Sequence, residues 1–216
     1  MDNLQFTPQQ ARVLAALVEK SITTPQYYPL TVNALRTAAN QKNAREPVMN
    51  LEEGEVGAAL LALAEMGFVA RDDAGGRVPR WRHRFGHQLL IKAPVLAVLA
   101  ALMLRGPQTL AELRANAQNM GGPETSEGVQ DALNLLADRA QPLVAALARQ
   151  TGQSAQRFAH LLCGAAEAAL PVEATLQAAA ESGARAATPS RLEALEARVA
   201  ELEQRLAQLS AALGEG

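Results

Sequence analysis

The pentapeptide VLAAL occurs twice in this chain, at residues 13–17 and at residues 98–102. In each copy the apolar side chains recur with the spacing of a helix that packs on a core. Three further pairs of similar stretches follow in the same order: TVNALR at 31–36 with TLAELR at 109–114, the spacing V-x-x-A-L-x-x-L from residue 56 and again from residue 129, and RWRHRF at 80–85 with RFAHLL at 157–162. Four matches in one order predict an internal repeat with a spacing of about 73 to 85 residues.

Each copy of the repeat has the pattern of three helices followed by a β-hairpin. Apolar spacing and turn composition predict helices at 7–20, 31–39 and 52–66 with strands at 68–71 and 78–85 in the first copy, and helices at 93–104, 109–119 and 126–139 with strands at 143–149 and 156–162 in the second. Thr31 and Asn50 are the expected N-caps of the second and third helices. The predicted fold class is therefore mainly α with small β-hairpins (α+β), as tandem winged-helix domains over residues 1–88 and 89–163.

The chain changes character after residue 163. Residues 164–190 are rich in alanine without a clear apolar period, which is typical of a linker. Residues 191–214 have the pattern of a C-terminal coiled-coil helix. Its apolar side chains alternate three and four residues apart, as the a and d positions of about three heptads, and these are the predicted dimerisation residues: Leu192, Leu195, Val199, Leu202, Leu206, Leu209 and Leu213.

The composition favours a helical, globular protein. Hydrophobic residues make up 49% of the 216 residues and aromatic residues only 3%, so the core must consist mostly of Leu, Ala and Val. The first residues lack the basic and apolar regions of a secretory signal. The longest apolar run, at 93–104, has roughly half of the ~20 residues that span a bilayer. We therefore expect a cytoplasmic protein with no membrane association.

Residue types that carry catalysis or bind metals are sparse. The single cysteine, Cys163, excludes an intrachain disulfide and a multi-cysteine zinc site. His83 and His160 occupy equivalent strand positions, and we expect both to be half-buried packing residues. The sequence contains no phosphate-binding glycine loop, no nucleophile elbow and no His-Glu-x-x-His motif. These observations predict a non-enzymatic protein with no cofactor and no metal.

Cationic side chains cluster in the first copy. Three arginines of its second predicted strand alternate with Trp81 and His83, and the period-two alternation of a strand places them on one face. The polar loop at 40–50 adds two more cations. The candidate nucleic-acid-binding residues are Lys42, Arg45, Arg71, Arg77, Arg80, Arg82 and Arg84. Such a row suits contacts with DNA phosphates.

The charges of the third helix in each copy disfavour its contact with DNA bases. In the first copy it carries four glutamates and no lysine or arginine, and in the second it carries Glu127, Asp131 and Asp138 against Arg139. Phosphates repel such helices. Two function classes stay open: a protein that binds duplex DNA through the first wing and the loop at 40–50, and a dimeric adaptor that binds an unidentified protein and no DNA.

The loop at 40–50 also carries a family resemblance. The stretches 23–30, 33–34, 40–42 and above all 45–51 (REPVMNL) resemble the signature of the YceH family of bacterial proteins, which have no assigned biochemical function. The resemblance covers residues 4–163 and extends to the tail. It implies tandem winged-helix domains, in agreement with the repeat, and it carries over no catalytic or ligand-binding residue.

We predict that residues 191–213 form a parallel homodimer. In a parallel coiled coil Arg191 and Arg198 lie across the seam from Glu196 and Glu203, whereas antiparallel pairing places arginine opposite arginine. Analytical ultracentrifugation should give a dimer for the full chain and a monomer for a chain ending at Ser190. An unchanged mass after the deletion would instead indicate a tail that folds back on the body.

Overall fold

The order of elements in the structure repeats, as the sequence predicts. The computed structural model describes residues 4–72, 78–148 and 155–164. The linker at 164–190, apart from its first residue, and the heptads at 191–214 lie outside these residues. The elements of the first copy are α1 (Pro8–Thr23), a 3-10 turn (Pro25–Tyr27), α2 (Val32–Ala39), α3 (Glu53–Glu65), β1 (Val69–Asp72) and β2 (Arg80–His83). A short helix, α4 (Phe85–Leu89), follows. The second copy comprises α5 (Ala93–Arg105), β3 (Gln108–Thr109), α6 (Leu110–Gln118), α7 (Ser126–Ala137), β4 (Val144–Ala146) and β5 (Arg157–His160).

These elements make a mixed α and β protein of the α+β kind. Seven α helices and small antiparallel sheets account for its regular structure over residues 4–72, 78–148 and 155–164. No helix of this region is long and apolar enough to cross a membrane. These described residues belong to one compact unit.

The helix starts follow from side chains that cap exposed backbone N–H groups. Thr7 accepts a hydrogen bond from the Gln10 N–H at 3.2 Å, and the Gln10 side chain accepts one from the Thr7 N–H at 2.9 Å. This reciprocal pair, with Pro8 in the first turn, fixes the start of α1. The predicted cap of α2 is confirmed, because the Thr31 hydroxyl accepts from the Ala34 N–H at 3.3 Å.

The predicted cap of α3 is wrong. Its N-cap is Glu52, whose backbone N–H donates to Glu55 Oε2 at 2.8 Å, and Asn50 lies two residues earlier. The reason lies in Leu51, whose N–H and carbonyl both bond to the Asn40 side chain at 2.8 Å. These two bonds hold Leu51 outside the helix, so the first helical turn begins after it.

Each hairpin gains a third extended segment that the sequence patterns do not predict. In the second copy β5 pairs with both β4 and β3, in the order β3-β5-β4. In the first copy β1 pairs with β2, and Leu30 forms an antiparallel bridge with Trp81. In both copies this added segment lies between the first and second helices. Two residues are too few to show a period-two pattern in a sequence.

The second strand of the first copy is also shorter than predicted. It ends at His83, and Phe85, predicted to be in the strand, begins α4. Phe85 is fully buried, with its ring centroid 5.7 Å from that of Phe68 and 6.2 Å from that of Phe6. Packing of this aromatic cluster turns the chain out of the sheet.

The core is continuous through both copies. Helix α1 packs against α2 and α3 and also against α5, the equivalent first helix of the second copy. All side chains of both VLAAL stretches are completely buried. The buried residues of the two copies form one cluster. Helices α1 and α5 thus pack against each other inside one core that both repeats share.

The two equivalent histidines are half-buried, as predicted. His83 Nε2 lies 3.1 Å from Ser21 Oγ, whereas the Nδ1 atoms of His83 and His160 are buried without a partner in the described part of the chain. Burial lowers the pKa of each histidine to about 4. Both side chains are therefore neutral in the folded protein near neutral pH.

We predict that the stability of the protein falls as the pH drops from about 6.5 to about 4. The unfolded chain binds more protons than the folded chain in this window, so each histidine should lower the free energy of unfolding by about 1.4 kcal/mol per pH unit. Urea unfolding at several pH values should show a shallower slope for the variant H83Q/H160Q. The exposed His87 supplies the control H87Q, which should keep the wild-type slope. Equal slopes in all three proteins would contradict the prediction.

Candidate functional site

The polar loop at 40–50 is anchored by a buried guanidinium. Arg45 is 4% exposed, and its Nη2 donates to Glu19 Oε2 at 2.6 Å while Nη1 donates to Glu19 Oε1 at 3.1 Å. Further bonds run from Arg45 to the carbonyl oxygens of Ala38 and Ala44 and to Gln41 Oε1. A guanidinium in this fork geometry can satisfy all its donors inside a protein. Arg45 therefore ties the loop to α1 and to the end of α2.

The pairing also acts on Glu19. Burial acts to raise the pKa of this carboxyl, but the hydrogen bonds and positive charge of Arg45, with a smaller contribution from Lys20, outweigh it. The pKa of Glu19 consequently lies below its usual range, and the carboxylate stays charged. The Arg45–Glu19 pair is thus a complete ion pair at neutral pH.

A second buried guanidinium, which is not among the predicted site residues, holds the other side of the loop. Arg12 is 1% exposed and donates to the carbonyl oxygens of Ala39 at 3.3 Å and Pro47 at 2.7 Å. Burial, with the nearby charge of Arg45, lowers its pKa to about 10. The signal in the sequence was its position, directly before VLAAL on a helix that is otherwise apolar there. Arg12 and Arg45 together fix the loop on α1.

This arrangement changes the role expected for Arg45. A phosphate contact requires an exposed guanidinium, and the donors of Arg45 are directed inward. The prediction that Arg45 contacts DNA is incompatible with this geometry. Lys42, by contrast, is exposed, and the structure shows no hydrogen bond or ion pair of its ammonium within the described residues.

The arginines of the first hairpin do not form one uniform row. Arg80 is partly buried and donates to the Pro29 carbonyl at 2.9 Å, and Arg82 forms an ion pair with Asp72 on the neighbouring strand. Arg71 and Arg84 are exposed, and Arg84 lies after the end of β2. Arg77 lies outside the described residues. Arg71, Arg82 and Arg84 therefore lie on the outer surface. Arg80 is instead bonded to the Pro29 backbone.

The outward faces of α3 and α7 share a different chemistry. Both helices bury one stripe and expose the other, and the exposed stripes carry carboxylates with a few apolar side chains. Leu61 on α3 and Leu135 on α7 are each 61% exposed. Neither helix contains lysine or arginine within its bounds. These two faces are acidic and locally apolar.

A polar cleft of about 520 Å³ lies where the loop of the first copy meets the second copy. Its lining comes from the loop, from the segment between α5 and α6, from α6 and from β5: Lys42, Asn43, Ala44, Arg45, Glu46, Arg105, Pro107, Gln108, Glu112, Asn116 and Arg157. Two of the predicted site residues, Lys42 and Arg45, meet here. The cleft brings together residues that lie more than a hundred positions apart, which no local pattern reveals.

Comparison with known proteins places this architecture in a family. The model of a family of proteins of unknown function, DUF480, matches residues 6–153. The chain belongs to the DUF480 family. A UPF0502 protein of Geobacter metallireducens is 46% identical to this chain over 179 residues, which cover 80% of this chain and 82% of the relative. A UPF0502 protein of Burkholderia orbicola is 44% identical over 193 residues, which cover 89% of this chain and 80% of the relative.

A third relative, a UPF0502 protein of Geobacter sulfurreducens, is 46% identical over 197 residues, which cover 88% of this chain and 87% of the relative. These matches confirm the resemblance to YceH-like bacterial proteins that the loop residues predict. The described part of this DUF480 chain holds no group of three or more histidine, cysteine or acidic side chains that could bind a metal ion.

We predict that Arg45→Ala lowers the free energy of unfolding by roughly 3 kcal/mol, because it leaves the buried Glu19 carboxylate and the Ala38 carbonyl without their partner. Arg45→Lys should recover only part of this loss, since an ammonium cannot make the same set of bonds. Urea unfolding at pH 7 measures both. Arg114→Ala, at an exposed position of α6, is the matched control and should change stability by less than about 0.5 kcal/mol. An Arg45→Ala protein as stable as the control would contradict the anchoring role.

Proposed function

We propose that this chain is a non-enzymatic protein-interaction module, in which two winged-helix repeats form a scaffold that docks a protein partner. The acidic outward faces of α3 and α7 carry this proposal. In a DNA-binding winged helix the third helix enters the major groove and places side chains on the bases. Here the corresponding helices have carboxylates at Glu53, Glu55 and Glu65, and at Glu127 and Asp131, which DNA phosphates repel.

The winged-helix assignment is supported by the order of the elements. Each copy runs helix, extended segment, helix, helix, strand, strand, and in each the extended segment pairs with the last strand. This is the connectivity that a helix-turn-helix with a wing requires. The exposed leucines at positions 61 and 135 then lie on the helices that a winged-helix domain presents to its ligand.

The proposed scaffold is a homodimer through the heptads at 191–213. A parallel coiled coil places two copies of each acidic face on one assembly. If the partner offers two sites within reach, the second contact forms intramolecularly, which strengthens binding without a new kind of contact. Weak individual contacts at Leu61 or Leu135 then suffice for stable association.

Duplex DNA is the second candidate ligand, and the exposed arginines of the first hairpin favour it. The Arg82 side chain is 52% exposed despite its ion pair with Asp72, and Arg84 is exposed beside it. Together with Lys42 they could contact phosphates without any role for α3. Binding of this kind would be independent of sequence and strongly dependent on salt.

Site-specific photocrosslinking in cells tests the adaptor proposal. A photoreactive residue at position 61 should give a discrete adduct with one protein, which mass spectrometry identifies. The change E53K/E65K should abolish that adduct because it reverses the charge of the docking face and leaves the Glu55 cap intact. Position 90 is the matched control, since Leu90 is 86% exposed but lies outside α3 and α7. Adducts that are the same at positions 61 and 90, or that survive the charge reversal, would contradict the proposal.

The DNA arm uses fluorescence anisotropy with a nonspecific duplex at several salt concentrations. If the adaptor proposal is right, we expect the anisotropy of the duplex not to saturate below about 10⁻⁴ M protein at physiological salt. If DNA is the ligand, R82A/R84A should reduce the slope of log K against log salt by about 1.8, at 0.9 for each lost phosphate contact. Arg114→Ala should leave the slope unchanged. Tight binding with this loss of slope would replace the adaptor proposal with the DNA candidate.

A further inference from the structure

We propose that the cleft between the loop at 42–46 and the second repeat binds an acidic segment of a protein partner, with Lys42 and Arg105 receiving its carboxylates. The inference rests on the proposed function, because it names the chemistry of one part of the partner. It concerns a surface separate from α3 and α7. The acidic helix faces and the cationic cleft would thus contact different parts of a partner.

The cleft has the volume of a ligand-binding site, although it is open to solvent. Its volume of about 520 Å³ falls within the range of roughly 300–1,000 Å³ that is typical of ligand pockets. It is open to solvent on one side, and polar side chains line most of its wall. An extended peptide segment can lie in such an open groove, whereas a small apolar molecule would remain largely exposed there.

The charges of the cleft are not balanced internally. Arg45 also lines it, but its donors are bound to Glu19 and to backbone carbonyls. Arg157 is held by the Pro107 carbonyl at 2.8 Å and by Glu112 at 3.4 Å. Lys42 and Arg105 make no hydrogen bond or ion pair with the residues that the structure describes. Two cations in the cleft wall therefore lack an anionic partner among the described residues.

The walls that carry these two cations are fixed. On one side the Arg45 network and the bond from the Glu46 N–H to the Leu104 carbonyl, at 2.8 Å, hold the loop next to the end of α5. On the other side the buried amide of Gln108 donates to the Ala101 carbonyl and accepts from Asn116 at 2.7 Å. A wall of this kind needs little ordering when a ligand binds, which favours affinity.

The mixture of groups favours a peptide over a nucleic acid. Glu46 and Glu112 also line the cleft, and their carboxylates accept hydrogen bonds from N–H donors, which a peptide backbone supplies and a phosphate backbone lacks. A peptide thus offers carboxylates for Lys42 and Arg105 and backbone N–H donors for Glu46 and Glu112. The side-chain amides of Asn43 and Asn116 can bond to either the donors or the acceptors of a peptide backbone.

The test uses the full chain and a fluorescein-labelled hexaglutamate peptide, with hexaglutamine carrying the same label as the neutral probe. Fluorescence anisotropy at low salt should show saturable binding of hexaglutamate and none of hexaglutamine. The variant K42E/R105E should bind hexaglutamate at least about tenfold more weakly. The matched control K92E/R114E makes the same change in net charge at exposed positions outside the cleft and should stay within about twofold of the wild type.

A structural readout accompanies the affinities. In a ¹H–¹⁵N spectrum, hexaglutamate should shift the side-chain amide signals of Asn43 and Asn116 in the wild type and in K92E/R114E, but not in K42E/R105E. An equal loss of affinity in both charge-reversal variants would show that the peptide responds only to net charge, and would overturn the inference. Absence of hexaglutamate binding would do the same.

The failure of this inference is distinguishable from that of the proposed function. If hexaglutamate does not bind while the position 61 adduct forms and responds to E53K/E65K, the adaptor proposal stands and the cleft has no part in it. If duplex DNA binds the wild type and K42E/R105E abolishes that binding while K92E/R114E does not, the cleft is a phosphate site. In that case both the cleft inference and the adaptor proposal are wrong.

Discussion

The packing of α1 against α5 is the contact on which the rest of the molecule depends. Both helices bury their VLAAL stretches completely, and full burial of each leucine or valine contributes about 1.5–3 kcal/mol. The alanines of these stretches are buried as completely as the leucines and valines. The loop at 40–50 bonds to α1 through Arg12 and to the end of α5 through the Glu46 N–H. Its position, and the cleft beside it, therefore exist only while these two helices remain in contact.

Much of this fold is visible in the sequence because its signals are local. Apolar spacing over ten or more residues and caps such as Thr31 predict the helices. Because the two copies share one pattern, the elements predicted in one copy support those predicted in the other. The missed features are short or depend on distant contacts. The β3 segment has two residues, and Asn50 loses its predicted role because Asn40, ten positions earlier, holds Leu51 outside the helix.

The candidate site is harder to predict from the sequence. The type of a residue shows whether its side chain is charged, but it does not show whether that side chain is buried. Arg45 and Lys42 lie in one polar loop and look alike in the sequence, yet one is bound in the interior and the other is exposed. Arg80 and Arg84 likewise share a predicted face but differ in their contacts. The cleft joins residue 42 to residue 157, and this juxtaposition follows only from how the two copies pack.

The two ends of the described body meet. The Phe6 N–H donates to the Leu162 carbonyl at 2.6 Å, and the backbone of Leu4 both donates to and accepts from the Gln141 side chain. The first described residues of the first copy are thus bonded to residues on either side of the hairpin of the second copy. Because these contacts and the core are shared by both copies, we expect the two repeats to unfold as one cooperative unit.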